Sequence, residues 1–152
     1  MTRIAIVGPE DGEVTLTGPI QLRILEDGST TGHRLGMAES TLAPHTPGPP
    51  QHRHAEHEEG FYVVSGVVRF TIGDRDHDAG PGTLVMVPTG APHTFANPGD
   101  EPAVLLTTFT PDHYVQYFRD LRDAAPAGLP PAAEVGVIMA RYATEVSTEY
   151  AP

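Results

Sequence analysis

Short apolar runs that alternate with polar residues make up the first 110 residues of the chain. Side chains of a strand alternate between two faces, so these runs predict strands, and each run ends at glycine, proline or a small polar turn residue. Strands are predicted at residues 4–7, 13–17, 20–25, 33–42, 52–54, 59–64, 67–72, 75–79, 83–87, 93–96 and 104–108. Many short strands of this kind are typical of an all-β sandwich or barrel.

The pattern changes after residue 110, where apolar residues recur at helical spacing. One stripe predicts a first helix: Tyr114, Val115, Phe118 and Leu121. Asp112 is its predicted N-cap and Pro126 its predicted end. A second stripe predicts another helix: Val135, Ile138, Met139 and Tyr142. Pro131 suits the first turn of that helix and Arg141 its C-terminal end, and both helices are predicted to pack on the barrel.

Composition is compatible with one domain and excludes several classes of function. The chain has 152 residues and a net charge of -11 with nine Lys and Arg residues, which argues against binding to nucleic acid. It has no cysteine, so a thiolate ligand and a disulfide are excluded. The apolar start at residues 4–7 is too short for a signal-peptide core, and no segment reaches membrane-spanning length. We therefore expect a cytoplasmic protein.

Two segments carry histidine and carboxylate residues at short spacings between glycine turns. The first is HRHAEHEEGFYVVSG at residues 52–66, and the second is GTLVMVPTGAPHTFAN at residues 82–97. Three imidazoles and one carboxylate stand out: His52, His54, His93 and Glu59. Nitrogen and oxygen ligands of this kind describe a site for a hard-to-borderline divalent metal.

Strand alternation brings the first two histidines together. His52 and His54 are two residues apart and therefore point to the same face of one strand. Residues 55–58 form a poor strand and predict a reversal, after which Glu59 opens the next strand. Glu58 remains an alternative carboxylate at this point. A rigid turn at residues 88–92 then leads to His93, which brings the third imidazole back towards the first two.

Both segments resemble the two motifs of the cupin superfamily. Nine residues fall at its spacing: His52, His54, Glu59, Gly66, Gly82, Pro88, Gly90, His93 and Asn97. The distance to Gly66 favours Glu59 over Glu58. The resemblance implies an all-β fold, a double-stranded β-helix (jelly-roll) cupin barrel with one or two short C-terminal helices. A single cupin domain would span residues 1–152, with strands in 1–19, the barrel in about 20–110 and helices in about 112–145.

One departure from the superfamily pattern lies before the first histidine. The glycine that usually stands six residues before it is missing, and Gly48 stands four before it. This difference predicts a looser loop ahead of His52 with an unchanged ligand set. The glycines and proline of the motifs are expected to shape turns, and Asn97 to fix a turn by hydrogen bonding.

The resemblance implies one divalent metal ion per chain, held by His52, His54, Glu59 and His93. Nitrogen and oxygen ligands accept Ni, Co, Fe, Mn or Zn, and ligand type does not choose among these metals. Phe61, Val63 and Phe95 share strand parity with Glu59 and His93, so they are candidate walls of an apolar substrate pocket. Most aromatic residues are expected to fill the barrel core.

A closer resemblance covers about residues 20–145. The segments Thr31-Gly32-His33, Gly48-Pro49-Pro50-Gln51-His52 and Phe109-Thr110-Pro111, together with Glu39, are similar to monocupins related to flavonol (quercetin) dioxygenases. This resemblance implies a metal-dependent dioxygenase for a phenolic or flavonol-like small molecule. Glu59 would be the catalytic base that takes the proton of the substrate hydroxyl.

Two other functions use the same residues. The metal could act as a Lewis acid in a cyclase or isomerase of natural-product (polyketide) biosynthesis, which needs no oxygen. Alternatively, the protein binds a small molecule without catalysis and its metal is structural, since four protein ligands can close such a site. Sequence alone leaves these three functions open.

The remaining histidines are His33, His45, His57, His77 and His113, and they lack a partner at ligand spacing. We expect them on the surface or in ordinary hydrogen bonds, with His45 and His113 as candidates for a supporting or proton-relay role. Tyr114, Tyr117 and Phe118 either pack the helix or cover the barrel mouth, and packing is favoured. A homodimer is expected, with the apolar strand at 4–7 added to a neighbour's sheet edge.

Overall fold

A computed structural model describes residues 3–126 and 128–152 of the chain. These residues form eleven strands and two helices. The strands are β1 (Glu13–Thr17), β2 (Ile20–Asp27), β3 (Gly36–Leu42), β4 (His52–His54), β5 (Glu58–Ser65), β6 (Val68–Ile72), β7 (Arg75–Ala79), β8 (Leu84–Val87), β9 (Thr94–Ala96), β10 (Ala103–Thr110) and β11 (Thr144–Val146). The helices are α1 (Tyr114–Ala124) and α2 (Ala132–Ala140).

Six of the strands form one antiparallel sheet in the order β1-β2-β3-β10-β5-β8. Its inward face follows the sequence alternation, since every second residue of β3 and β10 is buried. A three-stranded sheet in the order β7-β6-β9 and a two-stranded sheet of β11 and β4 lie on the other side. The predicted jelly-roll barrel of two facing sheets is confirmed.

A short bridge joins His52 of β4 to His93, the residue that precedes β9. The backbone N–H of His52 donates to the carbonyl of His93 at 3.1 Å, and the N–H of His93 donates to the carbonyl of His52 at 2.9 Å. This pair of hydrogen bonds connects the two-stranded and three-stranded sheets. It also places two of the predicted metal ligands opposite each other.

Two hydrophobic clusters fill the interior. The first is built on β5, β6 and β10, with Phe61, Phe70 and Leu105 among its fully buried side chains. The second joins β2, β3 and the end of β10 to both helices, through residues such as Phe109 and Leu121. The prediction that the helices pack on the barrel is therefore confirmed. Both helices bury their apolar stripes in the second cluster.

Three predicted element boundaries are wrong. The structure has no strand at residues 4–7, where Ile4 and Ile6 are 87% and 90% exposed. The nearest strand, β1, pairs only with β2 among the described residues, so this segment has no strand partner. Strand β3 begins at Gly36 instead of residue 33, since His33 adopts a left-handed φ of 61° in a turn. Asp112 does not cap α1: the N-cap is His113, and the Asp112 carboxylate accepts a hydrogen bond from His33 Nδ1 at 3.0 Å.

Strand β11 was not predicted from the sequence. It follows α2 and pairs antiparallel with β4, with Thr144 opposite His54 and Val146 opposite His52. Three residues are too few to show an alternating pattern. Across the two described ranges, no helix has the length and apolar character needed to cross a bilayer.

Candidate metal centre

Strand β4 supplies two of the predicted ligands. His52 and His54 are both buried, as the two-residue alternation predicts, and Arg53 between them faces out to donate a hydrogen bond to Glu145 of β11 at 2.7 Å. The imidazole ring centroids of His52 and His54 are 4.9 Å apart. A three-residue strand is sufficient here because β11 pairs with it along its whole length.

Glu59, the predicted carboxylate, is the inward residue at the start of β5. Its side chain is buried, with 3% of the residue exposed, whereas Glu58 is exposed. Oxygen Oε2 lies 3.0 Å from His93 Nε2, and Oε1 lies 3.2 Å from His54 Nε2. The structure therefore brings Glu59, and not Glu58, to the predicted histidines.

The turn before β9 delivers His93. Gly90 adopts a φ of 81°, which favours glycine, and its N–H donates to the carbonyl of His54 at 2.8 Å. The buried His93 ring then lies 4.6 Å from the His52 ring and 5.1 Å from the His54 ring. One ligand atom from each of these three histidines lies within 4.8 Å of the other two.

Gly48 does not loosen the loop ahead of His52, so that prediction is wrong. The loop packs so closely on β9 that a Cβ at Gly48 would lie 1.6 Å from the carbonyl oxygen of Phe95. The Thr94 hydroxyl donates to the carbonyl of Pro49 at 2.5 Å. Gln51 adds two hydrogen bonds to the backbone of Gly73. The displaced glycine therefore allows a close contact that fixes the loop.

The three convergent histidines, His52, His54 and His93, each form a hydrogen bond through Nδ1 with an atom outside the cluster. His52 Nδ1 faces the carbonyl of Pro50 at 2.9 Å, and His93 Nδ1 faces the carbonyl of Ala91 at 3.1 Å. A carbonyl can only accept, so both nitrogens carry hydrogen and donate. His54 Nδ1 donates to Thr144 Oγ1 at 2.7 Å, since that hydroxyl donates its own hydrogen to a backbone carbonyl. The three Nε2 atoms are thereby left for the interior, the arrangement usual for histidine ligands of metals.

A buried nitrogen without a partner tests whether a metal ion fits these residues. His54 Nε2 is fully buried and forms no hydrogen bond within the described chain, although Glu59 Oε1 is 3.2 Å away. Buried polar atoms are rarely left unpaired, and two electron-rich atoms at this distance are unfavourable without a positive charge between them. A divalent cation bound by imidazole and carboxylate would satisfy both atoms, so the donor set fits the metal that the fold implies.

The ionisable groups of the cluster differ in the direction of their pKa shifts. Burial raises the pKa of Glu59, but the positive charge and hydrogen bonds of the surrounding histidines outweigh burial and hold that pKa well below its usual range. Burial and the charge of His93 lower the pKa of His52 to about 3. Burial disfavours the charged form of His93 too, yet its hydrogen bond to Glu59 raises its pKa. Without metal, the cluster therefore holds an ionised Glu59 beside His93, the histidine that most readily keeps a proton.

His57 joins the cluster, although spacing had not placed it with the ligands. Its ring is buried and its Nε2 hydrogen-bonds Glu59 Oε1 at 3.1 Å. It also forms a second potential metal-binding group with His54 and Glu59. The available signal was strand parity, because His57 stands two residues before Glu59 and would face the same side.

The two histidines expected near the barrel mouth lie elsewhere. His45 is exposed and pairs with Asp100 at 2.6 Å, and His113 is exposed at the start of α1. Within the described part of the chain, neither forms a hydrogen bond with the cluster, in agreement with the surface positions expected for these histidines. His33 and His77 are surface residues, as predicted.

An apolar wall borders the cluster on the side of the first hydrophobic core. The Phe61 ring centroid lies 5.8 Å from that of His93 and 5.6 Å from that of Phe95. Phe61 and Val63 are fully buried, and Phe95 packs against the same core. Phe61 therefore lies next to the cluster, all three residues belong to the first core, and their role as walls of a substrate pocket stays a prediction.

Helix α1 covers the opposite side of the cluster. The ring of Tyr114 lies 4.6 Å from that of His54 and 4.7 Å from that of His57, and Tyr117 stacks on Tyr114 at 4.4 Å. Burial raises the pKa of Tyr117 to about 12, so its phenol stays protonated. Tyr114 therefore packs the helix and also lies against the cluster.

Comparison with known proteins identifies the motif region and the fold. Residues 38–109 match the family model Cupin_2, described as a cupin domain. No curated protein sequence matches the chain significantly.

Three solved structures share the fold. The polyketide cyclase RemF from Streptomyces resistomycificus is 23% identical with a TM-score of 0.62, covering 75% of this chain and 94% of the cyclase. A cupin-superfamily sugar phosphate isomerase from Silicibacter pomeroyi is 22% identical with a TM-score of 0.61, covering 70% and 75% of the two chains. A protein described as a predicted oxalate decarboxylase from Thermotoga maritima is 16% identical with a TM-score of 0.64, covering 70% and 98%. At these identities the likeness shows a common fold and not a common activity.

Proposed function

Because this chain has the jelly-roll fold of cupins and a cupin-domain motif region, we propose that it is a metal-dependent enzyme. Its substrate is a phenolic or flavonol-like small molecule. One observation carries the proposal: His52, His54 and His93 place ligand atoms within 4.8 Å of one another, and Nε2 of His54 and of His93 lie 3.2 Å and 3.0 Å from the buried carboxylate of Glu59.

One divalent ion, Ni, Co, Fe, Mn or Zn, would be held by His52, His54, His93 and Glu59. When bound, such an ion supplies positive charge that favours the ionised form of an oxygen ligand. The chain presents Nε2 of each imidazole for this purpose, since Nδ1 of each histidine already donates to an oxygen of the protein. The site needs little reorganisation of its ligands to accept the ion.

Glu59 is the group that would take the proton of the substrate. Its low pKa keeps it ionised and ready to accept a hydroxyl proton, and its two oxygens contact different histidines. Loss of the proton leaves a phenolate, whose oxygen carries the charge. The walls formed by Phe61 and Phe95 exclude water from this step.

Access to the site requires a local movement. All four ligands are buried, and the Tyr114 ring lies against His54. A planar aromatic substrate would take the position of the Tyr114 ring beside the histidines. That position already holds an aromatic ring, so it suits another one. The proposed pocket therefore consists of Phe61, Val63 and Phe95 on one side and the vacated position of Tyr114 on the other.

Dioxygenation is the first candidate reaction, because the resemblance of the flanking segments implies it. A Lewis-acid cyclase or isomerase is the second, and the structural likeness to a polyketide cyclase favours it. The two reactions differ in their need for oxygen. We would incubate protein loaded with each of the five metals with quercetin, with and without air, and follow oxygen uptake and product mass. Oxygen uptake matched to product supports the dioxygenase, and oxygen-independent conversion supports the cyclase.

Glu59→Gln tests the base directly. The amide can still occupy the ligand position but cannot accept the proton, so we expect metal to be retained in part while kcat falls by about 100-fold or more. Turnover near that of the wild type would exclude Glu59 as the base. Stoichiometric metal in a protein that converts no phenolic substrate would instead favour the binding protein, a function that the burial of the site also fits.

Homodimer formation through the N-terminal segment belongs to the same proposal. Ile4 and Ile6 are exposed, and β8 is an edge strand that exposes Leu84 and Met86. Addition of the segment to β8 of a second chain would cover these side chains. Light scattering should give a dimer for the wild type and a monomer for an Ile4→Asp, Ile6→Asp variant. A monomeric wild type across a concentration series would contradict the dimer.

A further inference from the structure

His57 occupies a confined position beside the proposed metal ligands. It lies at the end of the reversal between β4 and β5 and is 3% exposed. Its ring centroid is 4.0 Å from that of His54, with an interplanar angle of 36°, and 4.7 Å from that of Tyr114, with an angle of 32°. The His54 and Tyr114 rings are 4.6 Å apart, so the three rings form a triangle in which His57 contacts both neighbours and is confined by them.

That orientation directs Nε2 of His57 at one oxygen of Glu59. The distance to Oε1 is 3.1 Å, while Oε2 lies 3.0 Å from His93 Nε2. An ionised carboxylate only accepts hydrogen bonds, so the contact requires His57 to donate from Nε2. Oε1 of Glu59 therefore faces Nε2 of both His57, at 3.1 Å, and His54, at 3.2 Å, whereas Oε2 faces His93.

We propose that His57 is a positioning residue that fixes the Glu59 carboxylate through Nε2–H···Oε1 and so holds its oxygens towards His54 and His93. This inference rests on the proposed metal centre and adds a residue outside its four ligands. Hydrogen-bonding partners of a ligand orient it, and their removal typically weakens metal binding by about 10- to 100-fold. Without the donor on Oε1, the carboxylate is free to turn away from these two histidines.

The test compares two substitutions at one position. His57→Phe keeps an aromatic ring beside those of His54 and Tyr114 but has no hydrogen-bond donor. His57→Gln keeps an amide nitrogen that can donate to Oε1 of Glu59. We would measure Co²⁺ affinity by competition with a chelating dye, and record the visible absorption spectrum of the Co²⁺ protein. We expect about 10- to 100-fold weaker binding and an altered spectrum for His57→Phe. His57→Gln should bind within a few fold of the wild type with an unchanged spectrum.

A double-mutant cycle with Glu59→Ala, which removes the acceptor of the His57 hydrogen bond, separates positioning from a general effect on folding. If His57 acts through the carboxylate, His57→Phe should cost less than about 3-fold in Co²⁺ affinity once Glu59 is replaced. Thermal unfolding of the metal-free variants checks that each one folds. If His57→Phe does not fold, His57→Asn replaces it, because the shorter amide cannot reach Oε1 from this backbone position.

Three results would overturn the inference. They are Co²⁺ affinity and a spectrum unchanged in His57→Phe, an equal loss of affinity with and without the Glu59 carboxylate, and a failure of His57→Gln to restore binding while the protein stays folded. A wild-type protein that takes up no Co²⁺ is a distinct outcome, because it would overturn the metal centre itself and the inference with it.

Discussion

The three convergent histidines differ in what holds their outer nitrogen. His52 and His93 donate to backbone carbonyls, which the fold fixes, whereas His54 donates to the hydroxyl of Thr144. That hydroxyl donates in turn to the carbonyl of Tyr142 at 3.0 Å. Of the three Nδ1 acceptors, only that of His54 can be removed by one substitution.

Thr144→Val should weaken metal binding by about 10- to 100-fold, since it leaves His54 Nδ1–H buried without an acceptor and frees the ring to turn. Thr144→Ser is the matched control, because it keeps the hydroxyl. Isothermal titration of the metal-free proteins with Zn²⁺ would measure both. Equal affinities for the valine and serine variants would mean that the hydroxyl does not orient His54.

Acid should destabilise the metal-free protein through His52. Its folded pKa of about 3 lies below the ordinary value of 6.5, so its contribution to stability is complete above pH 6.5 and is lost as pH falls towards 3. The lowered pKa of Glu59 also makes the free energy of unfolding fall towards acid, at still lower pH. The raised pKa of His93 makes the free energy of unfolding fall as pH rises.

Urea unfolding between pH 7.5 and 4.5 measures this dependence. The free energy of unfolding should fall towards acid more steeply in the wild type than in His52→Gln, which has no group to protonate at that position. Parallel curves for the two proteins would show that His52 is not held neutral by burial.

The four residues proposed as ligands could be found from the sequence, and the residues around them could not. His52, His54, Glu59 and His93 lie on the face that strand alternation assigns to them. Thr144 comes from a strand 90 residues after His54 and shows no local pattern. Partners brought together by tertiary contacts alone leave no periodic signal in the chain.

Among the elements, the strands follow sequence alternation closely and the ends of the chain do not. The apolar run at residues 4–7 is present, but a strand also needs a neighbour, and β1 pairs only with β2 among the described residues. Asp112 has the chemistry of an N-cap, yet the positive φ of His33 places an imidazole where it engages the carboxylate instead. In both cases tertiary pairing decided between two locally acceptable conformations.

Helix α1 was expected mainly to pack, and its Tyr114 ring also lies against His54 and His57 of the cluster. Tyr114→Ala should open the mouth, so a chelator such as EDTA should remove the metal at least about 10-fold faster than from the wild type. Tyr114→Phe keeps the ring and should match the wild type. Stopped-flow mixing of the Co²⁺ protein with EDTA gives both rates. The same rate for the alanine variant and the wild type would show that metal leaves by another route.

Over the whole molecule, the cluster lies between the two hydrophobic cores. Phe61 of the first core contacts His93, and Tyr114 of the second contacts His54. Metal binding would therefore link both halves of the barrel, and ligand binding to the folded state alone stabilises a protein by about 2.7 kcal/mol at a hundred times Kd.

Three histidines and Glu59 are proposed to form a metal centre. Elemental mass spectrometry of the protein purified without an affinity tag, beside His93→Ala, measures whether they do. We expect close to one divalent ion per wild-type chain and a large loss of metal in the variant. Wild-type protein that contains no metal and takes up none of Ni, Co, Fe, Mn or Zn would contradict it.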